Sequence, residues 1–255
     1  MIDSVMHRLI YANPPTYGRY PQYRDYLRAA SQYACAYCTI TESENPGATF
    51  NIEHFRPETL FPSLASLCEN LRYSCPRCNS YKSKRWISTD DGCIRDCEKC
   101  TRKVCNDNIE RFIDALTEDP KSMLYLGEDN KLHAFSGSKP ANYTIKYLRL
   151  NREQLIKLRY VRRFMDSWQN DLALKKTEAE SKLAKIKDEQ ERFLTQNNPS
   201  LTLNEKQYLD AIKILYEMLV LTVEESLCQI EQEIEMLNKL MAYRVGNDSS
   251  IVAIQ

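Results

Sequence analysis

The chain has 255 residues, 43% of them hydrophobic and 27% charged, and its 35 Lys/Arg balance its 35 Asp/Glu. That length and composition suit one large or two modest domains that fold unaided in water. No apolar run approaches the roughly 18 to 20 residues that span a bilayer, and the N-terminal MIDSVMHRLIYANPP lacks the apolar stretch of a signal peptide; the reading excludes a membrane protein and expects a cytoplasmic one.

Of the ten cysteines, eight fall in short-spaced clusters without an export signal, which favours metal thiolates over disulfides. The charges are unevenly spread. Arg72 to Lys103 holds nine Lys/Arg against four Asp/Glu, and Lys146 to Arg163 seven against Glu153 alone, whereas Glu217 to Glu235 carries six glutamates and no Lys or Arg. The two basic stretches read as a substrate side and the acidic one as a different side.

Residues 1–21, with Pro14, Pro15 and Pro21, read as an extended lead-in, and the apolar spacing of Tyr23 to Tyr33 predicts a short packing helix. CAYC then sets Cys35 and Cys38 at the spacing that lets two thiolates reach one metal from a tight turn. Phe50 to Ile52 predicts a strand that runs into Glu53-His54 and is broken at Arg56-Pro57. Alternation puts Glu53 and His54 on opposite faces, so both serve one site only if the strand twists or ends there. Cys68 to Ser80 supplies Asn70, the second pair Cys75 and Cys78, and Asn79; a helix is predicted over Ser80–Ile87, carrying Lys82, Lys84 and Arg85. A four-thiolate Zn²⁺ holding both pairs would brace this strand–strand–helix unit without a large core. An isolated histidine is more often structural than catalytic, and His54 is singled out by its neighbours.

The ordered pattern CxxC, Ile-Glu-His-Phe-x-Pro, Asn-Leu, CxxC-Asn-x-x-Lys resembles the HNH (ββα-metal) endonucleases, in the subset with a four-cysteine zinc site, over about residues 31–87. Within that family, IEHFRP, NLRYSCPRCNSYKSKR and the later LRLN look like the PtuB-type nuclease subunits of Septu and retron-associated anti-phage systems. The resemblance implies that His54 is the general base, that Glu53 and Asn79 bind a catalytic ion, and that Asn70 holds the loop of the base. Family members often have Asp at the Glu53 position and His at the Asn79 position, so this chain would be a His-Asn-Asn variant. The chemistry suits those residue types. Phosphodiester hydrolysis needs a deprotonated water and neutralised phosphoryl oxygens; a neutral imidazole serves the first at cytoplasmic pH, and hard oxygen donors suit Mg²⁺ or Mn²⁺ for the second. Arg56, Lys82, Lys84 and Arg85 are the expected contacts to nucleic acid.

Cys93, Cys97, Cys100 and Cys105, interspersed with Arg95, Lys99, Arg102 and Lys103, read as a second zinc site, with a disulfide or a mixed site including Cys68 as the other arrangements. Asn106 to Glu118 predicts an amphipathic helix with Ile109, Phe112, Ile113 and Leu116 on one face. Met123 to Phe135 predicts a hairpin around Gly127–Asn130, on which His133 is structural. Asn151 is the expected N-cap of a helix reaching Asn197, roughly 65 to 70 Å long. Thr202 and Glu205 form a capping box for a last helix running to about Tyr243, whose middle, AIKILYEMLVLTV, is apolar around most of its circumference.

The fold expected is α+β and mostly helical: a zinc-stapled ββα-metal core in a nuclease domain at 1–140, and a long-helix hairpin at 141–255 for packing or partner docking. The expected function is DNA cleavage in anti-phage defence, with a PtuA-like ATPase partner, within or without a retron complex, implied by the resemblance. An RNA-cleaving nuclease and a non-catalytic zinc-ribbon adaptor are the competing readings.

Overall fold

In the computed structural model, residues 4–87, 108–195 and 202–245 are described. The lead-in is a core element. Val5, Met6 and Leu9 are buried, the Leu9 amide bonds the Ala115 carbonyl at 2.7 Å, and the Tyr11 hydroxyl bonds the Leu71 carbonyl at 2.7 Å. Helix α1 (Arg24–Ala30) buries Leu27 and delivers the chain to the first cysteine turn. There the Cys35 amide reaches the Ile40 carbonyl at 2.8 Å, the Thr39 amide returns to Cys35 at 3.0 Å, and Thr39 takes φ 61°.

Strands β1 (Asn51–His54) and β2 (Leu71–Ser74) pair antiparallel, with Glu53 opposite Arg72 and His54 opposite Leu71. Helix α2 (Pro76–Lys82) follows at once. Cys75 caps it, its sulfur 3.4 Å from the Cys78 amide, and Pro76 fills the first turn, where no amide partner is required. The helix therefore begins before Cys78 and ends at Lys82, earlier than the predicted Ser80–Ile87, because Ser83 turns left-handed at φ 47°. Lys84 and Arg85 sit beyond its end, and Trp86 and Ile87 are buried.

Over 108–118 the predicted helix does not form. Arg111 bridges Ile87, the Phe112 amide bonds the Trp86 carbonyl at 3.2 Å, and the Ile113 amide bonds Thr144 Oγ1 at 2.9 Å. Phe112 and Ile113 are both buried while consecutive, as an extended segment with core on two sides allows. The i, i+3, i+4 spacing was real, but tertiary partners took the amides a helix would have used.

Strands β3 (Leu124–Leu126) and β4 (Leu132–Ala134) form the predicted hairpin, with Leu124 and Leu132 buried. Helix α3 (Lys139–Tyr147) packs on it, capped by Ser138. Asn151 does not cap the next helix. Its amide side chain bonds both the amide and the carbonyl of Leu132 at 2.8 Å, so it extends the hairpin edge, and α4 (Glu153–Thr195) starts two residues later.

The chain divides into two compact units, one running to Arg162 and resuming at Met241, the other Arg163–Leu240. The core belongs to the first. The second is the antiparallel pair formed by α4 from Arg163 on and by α5 (Leu203–Val245) as far as Leu240, tied by Lys176–Glu231 and Lys187–Glu224, both 2.7 Å, and by Phe193 against Tyr216. The Thr202–Glu205 capping box is formed. Among the described residues no helix is long and apolar enough to cross a membrane.

Candidate active site and zinc site

Cys35 and Cys38 from the first turn meet Cys75 and Cys78 from the start of α2, with all four sulfurs buried and within 4.8 Å of one another. A tetrahedral zinc with bonds of about 2.3 Å separates its sulfurs by about 3.8 Å; Cys38 and Cys75 are 3.7 Å apart. The donor set fits Zn²⁺. Burial disfavours ionisation at Cys35, yet hydrogen bonds from Cys38, Cys75 and Cys78 pull it well below the ordinary thiol range. Hydrogen bonds from Cys35 and Cys38, with burial, hold Cys75 and Cys78 above that range.

Arg152, just before α4, was not foreseen. Its guanidinium lies 3.5 Å from the Cys38 sulfur and 3.8 Å from that of Cys78, one from each pair, and the thiolates' charge outweighs burial in keeping it protonated. The expected second zinc site at Cys93, Cys97, Cys100 and Cys105 lies outside the described residues. Cys68 is buried and takes no part in the four-sulfur cluster.

On β1, alternation separates the two motif residues. The His54 ring turns to the loop that follows: Nε2 is 3.0 Å from the Ala65 carbonyl, and Tyr20 packs edge-on at 4.8 Å. A carbonyl only accepts, so Nε2 carries the proton and Nδ1 keeps the free lone pair. Nδ1 lies 3.9 Å from the exposed Glu58 carboxylate. Asn70 brackets the same loop, accepting from the Arg56 amide at 2.8 Å and donating to the Arg56 carbonyl at 3.0 Å and to that of Leu64 at 3.3 Å.

Glu53 points the other way, into the protein. Its carboxylate is ion-paired with Lys82 and accepts from the Tyr37 hydroxyl, and Lys82 also donates to the His54 carbonyl at 2.8 Å. Burial lowers the pKa of Lys82 and raises that of Tyr37 well above the usual phenol range, the latter reinforced by the Glu53 charge. Lys82 is therefore a buried strut under β1 and not an arm for a flanking phosphate. Asn79, half-buried, lies one turn before Lys82 on the same face of α2. Glu53 and Asn79 are the oxygen donors that would hold Mg²⁺ or Mn²⁺, and in this structure the Glu53 carboxylate is engaged by Lys82 and Tyr37.

The other expected contacts to nucleic acid divide. Arg56 is buried, its guanidinium over the rings of Trp86 and Phe61, while Lys84 and Arg85 are exposed. In the second basic stretch Arg159 bonds the Leu150 carbonyl at 2.7 Å and Arg162 pairs with Glu44, both fully buried. Together with Arg152 they brace the fold, which reduces the surface charge expected there.

Residues 35–85 match the family model described as HNH endonuclease. No curated protein and no solved structure matches the chain. The matched segment contains both cysteine pairs, β1, β2 and α2, and the four-cysteine cluster fits the zinc site of such a domain.

Proposed function

We propose that this protein is an HNH-type endonuclease in which His54 is the general base, acting on DNA as an effector of anti-phage defence. The observation that carries the reading is the His54 ring, oriented by the Ala65 carbonyl so that Nδ1 is the proton acceptor, on a strand that the four sulfurs and Lys82 hold in place. Nδ1 takes a proton from the attacking water as the water oxygen bonds phosphorus and the bond to the 3′-oxygen breaks. Asn79, on the face of α2 turned to β1, serves the reacting phosphate by hydrogen bonding, and Asn70 keeps the base's loop from drifting. Cys35, Cys38, Cys75 and Cys78 would hold a zinc ion whose part would be structural, joining the first turn to α2.

Plasmid cleavage with added Mg²⁺ or Mn²⁺, by the wild type and by His54→Ala, tests this. The variant is expected to lose at least roughly a hundredfold in rate, the share a positioned base contributes, with unchanged zinc content. Equal cutting by both removes His54 from the role. Matched RNA in the same assay separates an RNA nuclease, and no hydrolysis of either leaves the zinc-ribbon adaptor.

The partner belongs to the same proposal. Helix α5 exposes Tyr208, Ile214, Leu215, Met218 and Leu219, an apolar surface suited to a protein such as the Septu-type ATPase implied by the resemblance. Co-purification with the product of the neighbouring gene is the measurement.

A further inference from the structure

We infer that the C-terminal ends of α2 and α3 form a nucleic-acid backbone site in which Arg85, Lys146 and Arg149 take the phosphates and Tyr81 and Tyr147 support them. The inference rests on the nuclease reading and extends it from the reacting phosphate to the strand that flanks it. The three cations are exposed and come from two segments far apart in sequence, yet they share one pair of rings. The guanidinium carbon of Arg85 and the Lys146 ammonium lie 5.6 and 5.2 Å from the Tyr147 centroid, and that of Arg149 lies 4.9 Å from the Tyr81 centroid. Arg85 also bonds the Tyr81 carbonyl at 2.7 Å, which joins the two rings' cations into one surface. Rings position a cation without neutralising it.

Charge supports the assignment. Among the described residues none of the three is ion-paired with a carboxylate, whereas several exposed cations of the long helices are: Lys157 with Glu153, Lys175 with Asp171, Arg192 with Asp188 and Lys239 with Glu235.

The backbone of Arg149 adds an independent sign. Helix α3 ends in a Schellman turn: the Leu150 amide bonds the Ile145 carbonyl at 3.0 Å and the Arg149 amide bonds that of Lys146 at 3.3 Å. Arg149 occupies the left-handed position of that turn, at φ 48°, where glycine is the usual residue. An arginine there is held against its backbone preference, and its side chain is what a glycine would lack.

The test is fluorescence anisotropy of a labelled DNA duplex of about 30 base pairs, with single-stranded DNA and RNA of the same sequence as parallel arms, at about 50 to 200 mM salt. The protein is the full chain carrying His54→Ala, without added Mg²⁺ or Mn²⁺. Adding Arg85→Gln, Lys146→Gln and Arg149→Gly together is expected to weaken binding at least roughly tenfold and to flatten the log K against log salt slope by roughly 2 to 3. Arg149→Gly alone is expected to weaken binding while its Tm stays at or above that of the parent, since glycine relieves the turn. Lys175→Gln, Lys182→Gln and Lys185→Gln, which remove the same charge from α4, are expected to stay within about twofold.

Loss confined to one nucleic acid supports the site and names its strand. Undiminished binding by the first triple variant, an equal loss in the second, or no binding by the parent overturns the site and leaves the three cations for an acidic protein face. Plasmid cleavage by the wild type is scored separately, so the nuclease reading can fail while the binding site stands, or the reverse.

Discussion

Lys82 and Glu53 are buried to the point that neither charge has water to return to, and Lys82 carries a second bond to the carbonyl of the proposed base. Removing one partner of such a pair strands the other: Lys82→Met is expected to destabilise the fold by roughly 3 to 5 kcal/mol. Lys82→Met with Glu53→Gln should recover most of that loss in urea unfolding, because no uncompensated charge remains. If the double variant is no more stable than the single, Glu53 does not depend on Lys82. The same geometry explains why a lysine in a basic run was misassigned to the phosphates. Charge in a sequence reads as surface, and Arg72, paired with Asp114 under the Phe55 ring, is misread for the same reason.

At the scale of elements, the β1–β2 pair is fastened to α1 by Glu42, which accepts from Arg28 Nε and Nη2 at 2.7 and 2.6 Å and from the Tyr73 hydroxyl on β2. The Arg28 bonds hold the Glu42 carboxyl below its ordinary value of 4.5 despite partial burial, with help from Tyr73. A carboxyl with a depressed folded pKa stabilises fully above its unfolded value and loses that contribution as pH falls through the folded one. Stability of the wild type should therefore fall below about pH 4.5 more steeply than that of Glu42→Gln, and parallel acid profiles of the two would sink the assignment. The elements that sequence periodicity placed correctly were those completed by their own or adjacent backbone: the β3–β4 hairpin, α4, and α5 with its Thr202–Glu205 box, while β1 and β2 followed from the cysteine motif. Periodicity failed at 108–118 and at Asn151, where Trp86, Thr144 and Leu132 supply the hydrogen bonds from elsewhere in the chain.

For the whole molecule the two units predict two kinds of stability. The first depends on four sulfurs, and structural zinc contributes on the order of 10 kcal/mol to folding where four cysteines hold it. The second is made of the greater part of two 43-residue helices, joined by side-chain contacts. A strong chelator is therefore expected to unfold the first unit, seen as loss of tyrosine near-ultraviolet dichroism, while much of the helical signal at 222 nm survives. Simultaneous loss of both signals would show that the helices depend on the zinc unit, and no loss of either would show that the cysteines bind no structural metal.

The sequence by itself determined the metal donors, the strand–strand–helix order and the long helices. Thiolate spacing is local, and a long helix satisfies most of its backbone amides within itself, which a short amphipathic stretch such as 108–118 does not. Tertiary structure alone decided that Glu53 faces Lys82, that Arg152, Arg159 and Arg162 turn inward, and that Arg85, Lys146 and Arg149 converge on two tyrosine rings. A charged side chain is placed by whichever partner or ring the fold brings within a few ångströms of it, and residues 68 or 114 positions away leave no periodic trace in the chain.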